Sequence, residues 1–207
     1  RAMVLDGVAP TDMRLPLFAA RDAQRALDKL LAACAADRAC QAAHPDLRAR
    51  VARLLDRLAA APPRVRLVHP RTGIPEEVTI EARTVASILF SALYSPLTAS
   101  LVPTLVARAE ENDFQGLIAL AYAGEGSADN LSLGMQLAVL CSEDAPRVSD
   151  ADLDAESEGS VFGGRLMRGQ IRACEMWPRG EVPDGYYEPV VSDVPTLILS
   201  GDIDPVT

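Results

Sequence analysis

Histidines and cysteines are few in this 207-residue chain. The histidines are His44 and His69, the cysteines are Cys34, Cys40, Cys141 and Cys174, and no G-x-S-x-G elbow occurs. An elbow of that kind is what exposes a nucleophilic serine above an α/β sheet. The cysteines have no C-x-x-C spacing, and no histidine falls where a zinc set needs one, so no metal site is expected. His44 reads as a helix-end or turn residue and His69 as a hairpin residue; neither is placed as a base. What remains is carboxylate chemistry. Asp202 and Asp204 follow an apolar run closed by Gly201, Glu143 and Asp144 are adjacent in LCSED, and Glu125 stands in GEGS. Read from the residues alone, each is an ordinary surface acid or, for Asp202 in particular, a strand-end turn residue.

Strands at the two ends and helices between them must position these groups. RAMVLDGVAP (1–10) and PTLILSG (195–201) are short apolar runs stopped by turn residues, as expected of parallel strands covered on both faces. Between them, Leu27, Leu30 and Leu31, then Val51, Leu54, Leu55 and Leu58, recur at helical spacing, and Pro62-Pro63 ends that segment. Residues 64–80 alternate around a turn at Thr72-Gly73 and read as a hairpin. Helices are expected near 82–94, 98–110 and 113–123, with Phe90, Tyr94 and Phe114 in their core, then a loop at Gly124, Gly126 and Ser127. That loop lacks the strand–helix setting of a phosphate cradle. A further helix is expected near 130–141, and the acidic stretch 149–158 reads as a solvated loop or a helix start. Gly163-Gly164 reads as a joint or close packing contact, within a final helix over about 160–173.

Composition narrows the partners. Twenty basic against 29 acidic residues leave a net charge of −9, which repels phosphate backbones and argues against nucleic acid. A hydrophobic fraction of 49% supports a real core, and no run approaches the ~18 consecutive apolar residues of a membrane span. Lys29 is the single lysine among the basic residues, and with the abundant alanine this points to a GC-rich coding sequence. The chain begins at Arg1 without Met or signal peptide and stops at Thr207, so it reads as an internal piece of a longer protein.

The end runs lie about 190 residues apart, whereas a parallel crossover usually takes about 30. Paired in one sheet, they would make the helical middle a lid over the carboxyl edge, where open α/β sheets hold their sites. Four segments, in order, then resemble the secreted tripeptidyl-aminopeptidase and proline-iminopeptidase-like group of α/β-hydrolases. RAMVLDGVAP (1–10) resembles the strand after the nucleophile helix, and LAACAADRACQAAHPDL (31–47) a paired-cysteine turn opening the lid. LAVLCSED (137–144) with CEMWP (174–178) resembles the lid's second cysteine pair, and VPTLILSGDIDPVT (194–207) the strand and loop presenting the triad acid.

The resemblance implies a core strand over 1–12, a mostly helical lid over 13–190 and a core strand with the acid loop over 191–207. It implies Ser-Asp-His acyl transfer without a cofactor, with the acid three residues after the strand-closing glycine, at Asp204. The serine is then expected upstream of Arg1 and the histidine downstream of Thr207, so this piece alone is not competent. The implied substrate is a peptide with a free N-terminus. In proline iminopeptidases lid glutamates bind the ammonium group, which makes Glu143, Asp144 and Glu125 the substrate-binding candidates. The even cysteine count together with the resemblance pairs Cys34 with Cys40 and Cys141 with Cys174, implying export to the bacterial periplasm or beyond. Four reduced, buried thiols in a cytoplasmic enzyme are the alternative. Trp177 would pack on the second disulfide or wall the substrate pocket. An esterase of the same fold and a non-catalytic helical binding module are the competing functions. Against the module, bare apolar end strands would be prone to aggregation.

Overall fold

A computed structural model describes residues 1–128 and 132–206, without the side chains of 124–128 and 166. In chain order the elements are β1 (Met3–Asp6), α1 (Ala19–Ala36), α2 (Arg38–Ala43), α3 (Leu47–Ala60), β2 (Arg64–Val68) and β3 (Pro75–Thr79). They continue with α4 (Ala82–Ala92), α5 (Pro96–Glu110), α6 (Gln115–Ala128) and α7 (Leu133–Val139). A π-helical turn (Leu140–Asp144) and a 3₁₀ turn (Ala145–Arg147) follow, then α8 (Asp150–Ser157), α9 (Arg165–Ala173) and β4 (Thr196–Leu199). The fold is mixed α and β, mostly helical, with two small sheets among the described residues. It divides into two compact units, one of residues 1–23 and 132–207 and the other of residues 24–131.

The unit of residues 24–131 is built on α3, whose apolar residues fall on one stripe. Leu47, Val51, Leu54, Leu55 and Leu58 are all buried, and the helix packs against α4 and α5. The α4 residues Val85, Ile88 and Leu89 and the α5 residues Val102 and Val106 complete this core, with Phe114 and Leu117 beside them. α5 starts where Ser95 accepts the Leu97 N–H and Pro96 occupies the first turn, the place a helix tolerates proline. β2 and β3 form the expected antiparallel hairpin, with Val68 opposite Pro75 and Gly73 at φ +69° in the turn. The Gln115 amide secures it, accepting the Val68 N–H and donating to the Val68 carbonyl, each at 2.8 Å. Cys34–Cys40 closes α1 onto α2 with Cα atoms 5.1 Å apart. Phe114 is buried as expected, but Tyr94 is exposed just beyond the end of α4, edge-on to Phe90 at 5.6 Å. The spacing places Tyr94 correctly, but α4 has already ended, so its ring leaves the buried stripe.

The unit of residues 1–23 and 132–207 brings the two end strands together. β1 and β4 pair in parallel, Met3 opposite Thr196 and Asp6 opposite Leu199, extended by Met3 N–H to Pro195 O and Gly7 N–H to Leu199 O. Both strands run the same way, so Gly7 and Gly201 leave at one edge. The expected covering is absent from these residues. Val4 is 63% exposed and Ile198 65%, because a two-stranded sheet has nothing of its own to lay across its faces. In the same unit, Ser149 and Asp152 form a capping box for α8, so the acidic stretch 149–158 is a helix for most of its length. Arg168 of α9 bonds Asp150 and Asp154 of α8, while Leu153 and Met167 are buried.

Two expected boundaries move. α6 runs through Gly124, Gly126 and Ser127 instead of ending in a loop there, because the preceding LIALAYA run carries the helix past glycines that each cost about 1 kcal/mol. The final helix starts at Arg165 rather than near 160, with Gly163 at φ +59° before it. Truncating the α3 stripe tests the core directly. Leu58→Ala should lower the unfolding free energy by about 3 kcal/mol in urea titrations followed by circular dichroism.

Candidate functional site

The LCSED segment folds as a single π-helical turn, a local widening that changes which side chains share a face. Cys141 in that turn is fully buried and bonded to Cys174, at the end of α9, with Cα atoms 5.0 Å apart. Leu140, Ala145, Leu137, Ile171, Leu15 and Trp177 pack around the disulfide. Trp177 therefore serves as cover for the bridge, the packing alternative expected for it. Closing a loop of this length is worth roughly 3.7 kcal/mol by the chain-entropy estimate. The turn is thus pinned at the residue two before Glu143.

The two adjacent acids have opposite environments. Asp144 is buried, its side chain 10% exposed, and its Oδ1 accepts Arg147 Nη2 at 2.9 Å. Its carboxyl is pushed above the ordinary aspartate range, mainly by desolvation, against the opposing pull of the Leu15 N–H and Arg147. Arg147 is in turn a hub. Nε donates to the Glu143 carbonyl (2.9 Å), Nη1 to Asp12 O (3.0 Å) and Nη2 to Met13 O (2.6 Å), and the guanidinium lies 4.0 Å from the Tyr187 ring centroid. The charge of Asp144 is matched within the protein.

Glu143 is half-buried and, among the described residues, has no such cation. Its Oε2 accepts the Tyr186 phenol at 2.6 Å, and among the described residues no donor meets Oε1. Its backbone carbonyl accepts both Arg147 and the Tyr187 phenol (2.8 Å). A phenol adds a hydrogen bond to one carboxylate oxygen without adding positive charge, and the other oxygen has no donor among the described residues. That is the chemistry of a cation acceptor.

Asp204 lies in the turn after β4. Its N–H donates to Gly201 O at 3.3 Å, and its Oδ1 accepts the Val206 N–H at 2.8 Å. This Asx-type turn at the carboxyl edge of the β1–β4 pair leaves the side chain half-buried beside Pro205. Asp202, one step nearer the strand, is exposed. Glu125 lies on α6 in the other unit, and its side chain is outside the described residues. His69 Nδ1 accepts the N–H groups of Arg71 and Thr72 within the hairpin, and His44 caps α2. Among the described residues, no group of His, Cys, Asp or Glu side chains is gathered as a metal set, and no helix is long and apolar enough to cross a membrane.

No protein-family model matches the chain, and no curated protein sequence matches it. The chemistry above therefore rests on the residues themselves. Sequence reasoning missed Arg147, Tyr186 and Tyr187. Arg147 had a signal, the i, i+3 spacing from Asp144 on a helical turn. The tyrosines had none, since they lie 43 and 44 residues further along in an irregular segment.

Desolvation of Asp144 has a definite sign. A carboxyl raised on folding holds its proton more tightly in the native state, so its contribution to stability falls as pH rises from about 4 through its folded pKa. The stability of wild type relative to Asp144→Asn should accordingly decline across that window in urea titrations at stepped pH. A difference that rises with pH would reverse the assignment.

Proposed function

We propose that this chain is part of an α/β-hydrolase of the serine-exopeptidase kind, releasing N-terminal residues or short peptides from substrates with a free amino terminus. The observation that carries the reading is the parallel pairing of strands about 190 residues apart, with Asp204 in the turn at their common carboxyl edge. In that reading the residues between the strands form a lid, and bare sheet faces such as those of Val4 and Ile198 are covered by further strands and helices of the parent protein. Asp204 orients the imidazole of a histidine and stabilises its charged form while that histidine takes the proton of the attacking serine. Serine and histidine belong to parts of the protein outside this chain. No metal or organic cofactor enters the reaction.

Glu143 favours peptides over esters. An exopeptidase must hold an ammonium group, and a half-buried carboxylate without a protein cation offers a charge-assisted hydrogen bond to it. Asp144 is the weaker acceptor, because Arg147 already neutralises it. The two disulfides agree with an exported protein, the periplasm or the medium being the compartments that preserve them.

The test uses the full-length gene product, following chromogenic amine release from Ala-, Pro- and tripeptidyl-anilides beside a short-chain ester. Asp204→Asn should lower kcat by about 10⁴-fold while the fold is kept. Glu143→Gln should raise KM for the free-amine anilides by at least roughly tenfold, the lower value expected for a hydrogen bond to a charged group. Ester turnover without anilide turnover would favour an esterase, and undiminished activity in Asp204→Asn would remove that residue from the triad.

A further inference from the structure

Glu143 is held by hydrogen bonds at both its backbone carbonyl and its carboxylate. At the backbone, the Cys141–Cys174 bridge lies two residues away, and Arg147 and Tyr187 both donate to the Glu143 carbonyl. At the carboxylate, the Tyr186 phenol occupies Oε2 at 2.6 Å, and among the described residues no donor meets Oε1. The two tyrosine rings meet edge to face, 5.3 Å between centroids and 84° between planes, which fixes the direction of the Tyr186 hydroxyl. A free glutamate samples many rotamers, and freezing them at the moment of binding weakens affinity. The residue type matters as well. Arg147 neutralises the neighbouring Asp144, and a guanidinium on Glu143 would do the same there, whereas a phenol orients the carboxylate without cancelling it.

We infer that Tyr186 is the positioning residue of the ammonium subsite, fixing the Glu143 carboxylate so that Oε1 is presented to the positively charged N-terminus of the substrate. This rests on the exopeptidase reading of Glu143. The phenol also resists ionisation beside the carboxylate, its pKa raised first by the Glu143 hydrogen bond, so it stays a donor at neutral and mildly alkaline pH.

The test is a double-mutant cycle on the full-length gene product, with a tripeptidyl p-nitroanilide bearing a free amino terminus as substrate. Tyr186→Phe keeps the ring and its contact with Tyr187 and removes only the hydroxyl. It should raise KM by roughly tenfold and leave kcat within about twofold. In a Glu143→Gln background the same substitution should add little further, because the phenol acts through that carboxylate. An unmoved KM, a kcat that falls in step with the rise in KM, or an undiminished effect in the Glu143→Gln background would each overturn the assignment. If Glu143→Gln itself leaves KM unchanged while Tyr186→Phe raises it, the ammonium reading of Glu143 has failed, and the positioning role fails with it.

Discussion

Parallel pairing of Met3–Asp6 with Thr196–Leu199 is the constraint on which the proposed chemistry depends. A parallel ladder cannot be closed by a tight turn, so the chain leaves at the carboxyl edge of the first strand and must cross back to the amino edge before the second begins. Here the returning strand delivers Gly201 and Asp204 beside the end of the strand that carries Gly7. The aspartate therefore sits at the carboxyl edge of two hydrogen-bonded strands because of register. Its Asx turn with Val206 is a local refinement of that placement.

In the same unit, the region around Cys141 shows how adjacent acids acquire different tasks. Burial and Arg147 turn Asp144 into a fastening, tied through the guanidinium to the carbonyls of Asp12 and Met13. Glu143, one residue before it on the π-helical turn, meets a phenol instead of a guanidinium. Two residues of like type thus diverge through their partners, and the disulfide beneath them limits how far the turn can shift. The bridge is consistent with an oxidising compartment.

Much of the scaffold was legible in the sequence where periodicity is strong. The Val51–Leu58 stripe, the hairpin around Gly73 and the apolar end runs all appear as strands or helices near their expected places. The pairing of Cys34 with Cys40 and Cys141 with Cys174 followed the family resemblance, and the structure has the same bridges. Glycine misled at α6, where a run of good helix formers outweighs a breaker signal. The covering of the end strands could not be read from their apolarity, because hydrophobic runs imply a neighbour without supplying it. The tyrosines behind Glu143 were invisible for a different reason. A phenol reaching a carboxylate 43 residues away leaves no local pattern, and only the folded chain brings Tyr186 to it.

The central claim is that Asp204 serves a nucleophilic serine through a histidine. It is tested most directly by treating the full-length gene product with a fluorophosphonate and locating the adduct by mass spectrometry, for wild type and Asp204→Asn. The account predicts one modified serine, outside the residues described, with labelling markedly slowed in the variant. Labelling at the same rate in both proteins, or no serine adduct in wild type, would contradict it.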